Sequence, residues 1–329
     1  MRHYCTYFDR YYLPRGLALY QSLCRHAGEF FLHVLCLDTH TSRVLSALAL
    51  PHIQIIHLDD FLDDDAKLRR AHATRLALDF YFTCTASLPI YLLARHQNID
   101  AISYLDADLY FFSSPEPIFE ALGGALIMAI EHRFPDPRQA ILAGRFNVAM
   151  QYFRRSDEAN QCLQRWREQC LDWCHDRLEE GRFGDQKYLD EWPSLYPGLH
   201  ILQHPGANLA PWNLARHQLS WASTPGNDLL VDGKPLIFFH FHRTRRIFAK
   251  LYDPTLAEFK VTSSPLIRAI FRPYARALEQ AENSVFELLP EVNLTLSQRD
   301  QAVHQQLRAR LSAVRRFLQK LFAGHFVWL

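Results

Sequence analysis

Two carboxylates, Asp106 and Asp108, stand one residue apart inside the apolar run Ile102-Ser103-Tyr104-Leu105-Asp106-Ala107-Asp108-Leu109-Tyr110-Phe111-Phe112. Apolar and aromatic residues on both sides read as a buried strand, where an uncompensated charge is expensive. Two acids at the point where a strand leaves its sheet can hold a divalent cation, directly or through water, and that cation can hold a phosphate. Alternatively, the pair ends the strand by accepting backbone N–H groups or by capping the next helix.

Two later stretches carry complementary chemistry. In Gly181-Arg182-Phe183-Gly184-Asp185-Gln186-Lys187-Tyr188, a Gly-Asp-Gln turn opening a short helix sets a carboxylate beside an amide. Such groups can grip sugar hydroxyls or stabilise positive charge at an anomeric carbon, or Asp185 can simply cap the helix. In Pro235-Leu236-Ile237-Phe238-Phe239-His240-Phe241-His242-Arg243-Thr244-Arg245-Arg246, strand periodicity puts His240 and His242 on one face with three arginines after them. Neutral imidazoles ligate metals and guanidinium groups grip phosphate oxygens, whereas on a buried strand a histidine can equally be a satisfied core residue.

The elements that must position these groups alternate between strand and helix. Strands are expected over 4–8, 30–37, 53–58, 101–105, 125–130 and 146–153, with helices over 14–23, 118–122 and 158–178, a loop over 38–41 feeding a short helix through Leu50, and a mostly helical region over 73–95. Repeated strand–helix–strand units imply an α/β fold with a mainly parallel sheet, and ligands of such sheets lie at the strand ends. Neither G-x-G-x-x-G nor G-x-x-x-x-G-K-S/T occurs, so a bound nucleotide would need a cation where other folds use a glycine-rich loop. The loop 132–144, with Pro135, Pro137 and several charges, reads as a mobile flap. In 158–178, Cys162, Leu163, Trp166, Cys170, Trp173, Cys174 and Leu178 recur at helical spacing and read as core.

Composition narrows the classes. The 329 residues suffice for one large domain with an appendage, and a formal net charge of +1 gives no electrostatic footprint for nucleic acid. Seven cysteines, odd in number and without a C-x-x-C pair, point to a reducing compartment. Met1-Arg2-His3 leads straight into a strand, and no apolar run approaches the roughly 20 residues of a membrane span. A cytoplasmic protein is expected, with peripheral contact at the inner membrane face as a further option.

The stretches Tyr104-Leu105-Asp106-Ala107-Asp108, Phe146-Asn147-Val148-Ala149, Gly184-Asp185-Gln186 and His240-Phe241 resemble, in order and approximate spacing, the family-8-like glycosyltransferases of the GT-A fold. Phe80-Tyr81-Phe82-Thr83-Cys84-Thr85, the run 182–189, His204-Pro205-Gly206-Ala207-Asn208-Leu209-Ala210-Pro211-Trp212-Asn213 and Phe239-His240-Phe241-His242 are similar to a bacterial group of nucleotide-diphospho-sugar transferases. The resemblance spans about Tyr4 to Arg246. It implies a GT-A-type, Rossmann-like mixed and mainly parallel sheet flanked by helices over 1–260, with a helical C-terminal extension over 261–329. It also implies a hexosyltransferase-like enzyme moving sugar from a nucleotide-diphosphate donor, UDP-sugar first, to a hydroxyl of a carbohydrate or lipid-linked acceptor, with retention favoured over inversion. Asp106, Asp108 and His240 would match the ligands of Mn²⁺ or Mg²⁺, and Arg246 would match a diphosphate-contacting lysine. Thr6, Phe8 and Asp9 would lie near the base, and Asp185 and Gln186 near the donor sugar and its anomeric carbon. Ala149 and Arg243 stand where relatives have glycine, which questions the local geometry there.

Two rival readings are a non-catalytic nucleotide-sugar-binding protein on the same fold and a haloacid-dehalogenase-type phosphatase. The latter expects small or β-branched residues after the second acid, and Leu109-Tyr110-Phe111 stand there instead. Beyond Ser263 the alternation stops, and helices are expected over 263–287 and 294–321. The second carries an apolar stripe (Leu307, Leu311, Val314, Phe317, Leu318, Leu321) beside arginines, fit for an anionic membrane surface, for packing on the domain or for pairing with a second copy.

Overall fold

The computed structural model describes residues 1–63, 65–223, 228–248, 250–292, 294 and 326–328. The buried run at the start forms β1 (Arg2–Phe8), followed by α1 (Leu13–His26), where Pro14 occupies a position whose missing N–H has no intrahelical partner to lose. Gly16 is required in α1 because a Cβ there would lie 2.2 Å from the Phe8 ring. Next come β2 (Phe30–Cys36), α2 (Thr39–Leu48) capped by the Asp38 carboxylate on Thr41 N–H at 2.7 Å, and β3 (Ile53–His57). Helices α3 (Leu58–Leu62), α4 (Ala66–Thr74) and α5 (Ala77–Arg95) lead to β4 (Ala101–Leu105) and the short β5 (Leu109–Phe111). The middle of the chain adds α6 (Glu116–Leu122), β6 (Ile127–Glu131), α7 (Pro137–Ala143), β7 (Phe146–Arg154), α8 (Asp157–Asp172), α9 (Trp192–Leu195) and β8 (Leu199–Leu202).

Seven strands form one sheet in the order β3-β2-β1-β4-β7-β6-β8. The first four run parallel, β7 is antiparallel to both its neighbours, and β8 is parallel to β6. This is the mixed, mainly parallel α/β sheet expected from the strand–helix alternation. One core cluster packs α1, α2 and α6 on one face, and a second packs α3, α4, α5 and α8 on the other. Helix α5 is apolar and long enough to cross a membrane by composition, yet here it lies against β1, β4 and α8.

Beyond this sheet, β9 (Leu219–Trp221), β10 (Leu229–Val231) and β11 (Lys234–Pro235) make a small antiparallel sheet, and β12 (Phe238–His240) pairs antiparallel with β5. The hairpin β13 (Arg245–Phe248) and β14 (Leu251–Asp253) is extended by β15 (Val327–Trp328), a strand the sequence reading had not anticipated. Helix α10 (Pro265–Leu288), capped by Ser264, packs on α1 and buries Phe271 and Tyr274 against Phe239 and Phe241. The expected boundary at 260/261 falls just before it. The expected helix over 294–321, apart from Leu294, and its apolar stripe lie outside the described residues.

The region 73–95 is mostly helical as expected, with a break at Arg75-Leu76 between α4 and α5. Two other expectations need correction. The helix expected over 158–178 ends at Asp172, because the Arg75 guanidinium takes the carbonyls of Cys170 and Leu171 and Trp173 turns extended. Leu178 is therefore off the apolar face and 49% exposed, while Cys162, Leu163, Trp166 and Cys170 are core as expected. Finally, the loop 132–144 holds α7 and is pinned at its base, where His132 N–H bonds the Arg145 carbonyl at 2.9 Å.

Candidate active site

The site is assembled where β4 ends. The chain leaves β4 at Leu105, turns through Asp106-Ala107-Asp108 with Leu109 N–H on the Asp106 carbonyl, and re-enters extended structure as β5. Because β12 pairs with β5 in the register His240↔Leu109, the imidazole of His240 is carried to the acidic turn. Its Nε2 lies 3.1 Å from Asp108 Oδ1 and 3.7 Å from Asp106 Oδ2. The phenol of Tyr104 donates to Asp106 Oδ1 at 2.9 Å, and Phe241 N–H bonds the Asp108 carbonyl at 2.9 Å. His242 follows closely, with one ligand atom each from Asp108, His240 and His242 lying within 4.8 Å of one another.

Charge in this turn is compensated internally. Burial opposes ionisation of Asp108, but the charge and hydrogen bond of His240 outweigh it and hold the carboxyl below its ordinary range. Burial likewise opposes a charged His240, yet Asp108 outweighs that and raises the imidazole above its ordinary value. Asp106 is pushed up, first by burial and then by neighbouring Asp108, against the pull of His240. His242 is held down to about 4 by burial and by its neighbour His240. Carboxylate oxygens and imidazole nitrogens at such separations form a donor set suited to a divalent cation.

His240 is oriented from behind. His132 Nδ1 lies 3.1 Å from the Gly144 carbonyl, which can only accept, so the proton of that imidazole sits on Nδ1. His132 Nε2 then accepts from Asn147 Nδ2 at 3.1 Å, which turns Asn147 Oδ1 toward His240 Nδ1 at 3.2 Å. Nδ1 of His240 must carry a proton in turn, and Nε2 is the atom presented to the acids. The segment 204–213 closes over this chain: Trp212 Nε1 and Asn213 Nδ2 both donate to the His132 carbonyl, at 2.9 and 3.0 Å.

With this geometry in place, likeness to known proteins can be read. No protein-family profile matches the chain. It is 32% identical over 250 residues to the uncharacterized protein YfnF of Bacillus subtilis strain 168, covering 72% of this chain and 80% of YfnF. The chain belongs to the YfnF family. A second relative, YfnD of the same organism, is 25% identical over 294 residues, 88% of this chain and 92% of YfnD. Among solved structures, the chain is similar to the galactosyltransferase LgtC in complex with donor and acceptor sugar analogs (17% identity, 91% of this chain, 99% of LgtC, TM-score 0.49). It is also similar to the glycosyltransferase GlyE of Streptococcus pneumoniae TIGR4 (15% identity, 90% of this chain, 66% of GlyE, TM-score 0.49).

In this YfnF-family chain the other residues singled out from sequence fall in distinct places. Asp185 is buried next to the acidic turn, bonded to Thr85 of α5, whose hydroxyl is 2.9 Å from Tyr7 of β1. Burial pushes its carboxyl up to about 7, with Asp106 adding to the rise. Gln186 points the other way: its Nε2 donates to the Ala143 carbonyl at 2.7 Å, and Lys187 Nζ donates to the Ile141 carbonyl at 2.8 Å. The Gly-Asp-Gln turn thus caps the C-terminal end of α7 with two side chains. Gly184 in this turn has φ +53, a conformation glycine adopts without strain.

Thr6 is buried in β1 with its Oγ1 unpartnered, Phe8 packs under Gly16, and Asp9 accepts N–H bonds from Tyr11 and Tyr12 at 3.0 Å each. Arg246 is engaged by Glu282 of α10 at 2.5 Å. Of the two glycine-to-other departures, Ala149 sits in β7 with its carbonyl on Asp106 N–H at 2.9 Å, while Arg243 takes the left-handed conformation, φ 56, in spite of its side chain. Sequence reasoning missed His132, Thr85, Tyr7 and Glu282 as neighbours of these groups. Thr85 alone had a signal, in the stretch 80–85 that carried part of the family resemblance.

Proposed function

We propose that the chain is a metal-dependent glycosyltransferase that moves a sugar from a nucleotide-diphosphate donor, UDP-sugar first, to a hydroxyl of a glycan or glycolipid acceptor, with retention at the anomeric carbon. The observation that carries this reading is the convergence of Asp106, Asp108 and His240 beside a buried Asp185. Asp106, Asp108 and His240 would hold Mn²⁺ or Mg²⁺, which supplies Lewis acidity and positive charge to a departing diphosphate.

The chain's own groups do the rest. Asp108 and His240 present an oxygen and a nitrogen at fixed separation, with no need to reorganise when charge develops. Arg246, and Arg15 of α1, whose guanidinium donates to the Thr244 carbonyl at 3.1 Å, are among the cations near the stretch that follows His242. Thr6, Phe8 and Asp9 close the nucleotide end. Asp185, pushed up to about 7 by burial, holds its proton near neutral pH and can donate it to a sugar hydroxyl or oxygen, while Gln186 holds the C-terminal end of α7.

The test is release of nucleoside diphosphate from a panel of nucleotide-sugars with divalent cation, set beside calorimetry with UDP and Mn²⁺. Turnover lost in Asp106→Ala and Asp108→Ala supports the reading. Binding without turnover of any donor would make the chain a nucleotide-sugar-binding protein instead.

A further inference from the structure

The geometry points to His242 as a further ligand of the cation, joining Asp108 and His240 in a mixed nitrogen–oxygen site that selects Mn²⁺, Co²⁺ or Zn²⁺ over Mg²⁺. For ligand bonds of about 2.1 Å, neighbouring ligand atoms in an octahedral shell lie about 3.0 Å apart and opposite ones about 4.2 Å. The pairs His240–Asp108 at 3.1 Å and His240–Asp106 at 3.7 Å fall in that window, and one ligand atom each of Asp108, His240 and His242 lie within 4.8 Å of one another, a bound that sits above its upper edge.

His242 is also held where a ligand would have to be. It stands two residues beyond the end of the β12 register, and its ring is 5.8 Å from that of His240 at an interplanar angle of 88°. Trp212 sets its edge or face against both rings, at 5.2 Å from His240 and 5.6 Å from His242. The backbone is pinned as well: Thr244 N–H bonds the Phe241 carbonyl at 3.0 Å, and the Thr255 hydroxyl donates to the His242 carbonyl at 3.3 Å. Arg243, the next residue of this turn, takes the left-handed conformation at φ 56.

Two imidazoles change the chemistry of the site. Mg²⁺ favours oxygen ligands and keeps its water, whereas imidazole nitrogen binds the later divalent ions much better. This inference takes the cation-assisted transfer proposed above for the use made of the ion, but its test does not depend on transfer. Spin-echo modulation spectra of the full chain with Mn²⁺ alone should show two coordinated imidazole nitrogens, and calorimetry should show tighter binding of Mn²⁺ and Co²⁺ than of Mg²⁺. His242→Phe should reduce the count to one nitrogen and weaken Mn²⁺ by more than roughly tenfold, the loss typical of even an outer-shell partner, with Mg²⁺ nearly unchanged.

A single nitrogen in the unsubstituted protein, or equal Mn²⁺ and Mg²⁺ affinities, overturns the inference whatever the variant does. Two nitrogens without turnover of any donor would leave it standing and sink the transferase reading. Turnover with one nitrogen would do the reverse.

Discussion

Asn147 Oδ1 faces His240 Nδ1 across 3.2 Å, so the amide of one strand decides which nitrogen the histidine of another offers to the acidic turn. The orientation of that amide is in turn forced by His132, whose proton is committed to the Gly144 carbonyl. Asn147→Leu removes the acceptor while keeping the side chain's size. Mn²⁺ affinity should fall by about 10- to 100-fold, the usual effect of losing a group that orients a ligand. Calorimetry measures the affinity, and nitrogen NMR of the metal-free histidine rings, taken above the raised titration of His240 where its ring is neutral, should show the Nδ1–H form of His240 losing its dominance. An unchanged tautomer ratio would show that the amide is a bystander.

Asp185 binds its proton up to about pH 7 in the folded state, whereas in the unfolded chain it has ionised well below that. The stability it lends is therefore complete below the ordinary carboxyl range and is lost as the pH rises to about 7. Asp185→Asn should flatten this slope and stabilise the metal-free protein at pH 8 by on the order of 1–4 kcal/mol, while abolishing transfer. Denaturant melts at several pH values between 4 and 8 measure this directly. Parallel slopes for the two proteins would count against a buried, protonated Asp185.

Gln186 and Lys187 hold the last carbonyls of α7, a helix with no buried residue of its own. Gln186→Leu should release α7, raising amide exchange across 137–144 by roughly tenfold or more, since each net hydrogen bond is worth about 1 kcal/mol and two neighbouring ones are disturbed. Exchange elsewhere in the sheet should not change. If 137–144 exchanges as before, the flap is held by something other than this turn.

Arg246 and Glu282 form an ion pair that a bound diphosphate would have to share. Glu282→Gln should therefore strengthen UDP binding and Arg246→Ala should weaken it, each by a few-fold to about tenfold, as befits a partly exposed charge pair. Titrations at two salt concentrations test the point: the Arg246→Ala protein should show the shallower salt dependence.

Much of this was legible before any coordinates. The parallel half of the sheet could be read from apolar runs punctuated by helix starts, because each strand there is buried on both faces and carries its own signal. Asp106, Asp108 and His240 could be named because their types are costly in a buried strand without a purpose. His132 could not, since its role depends on Asn147 and Gly144, and no local period links the three. The hydrogen bond of the Gln186 amide to the Ala143 carbonyl is not legible either, because its partner comes from a helix some forty residues earlier that no local pattern links to the Gly-Asp-Gln turn. The early end of α8 was hidden for a similar reason: the group that takes up its carbonyls, Arg75, comes from a turn between two other helices.

The pairing of β5 with β12 has a consequence for synthesis of the chain. Both acids emerge from the ribosome long before Phe238–His240, and until that strand docks on Leu109–Phe111 the two carboxylates have no nitrogen partner. Closing so long a loop is entropically demanding, so it follows rather than leads the assembly of the sheet. A cation caught early by the acids alone would be loosely held and easily shed. Tight binding of a cation, if the centre takes one as proposed, would therefore have to wait until the chain has been completed at least as far as residue 240.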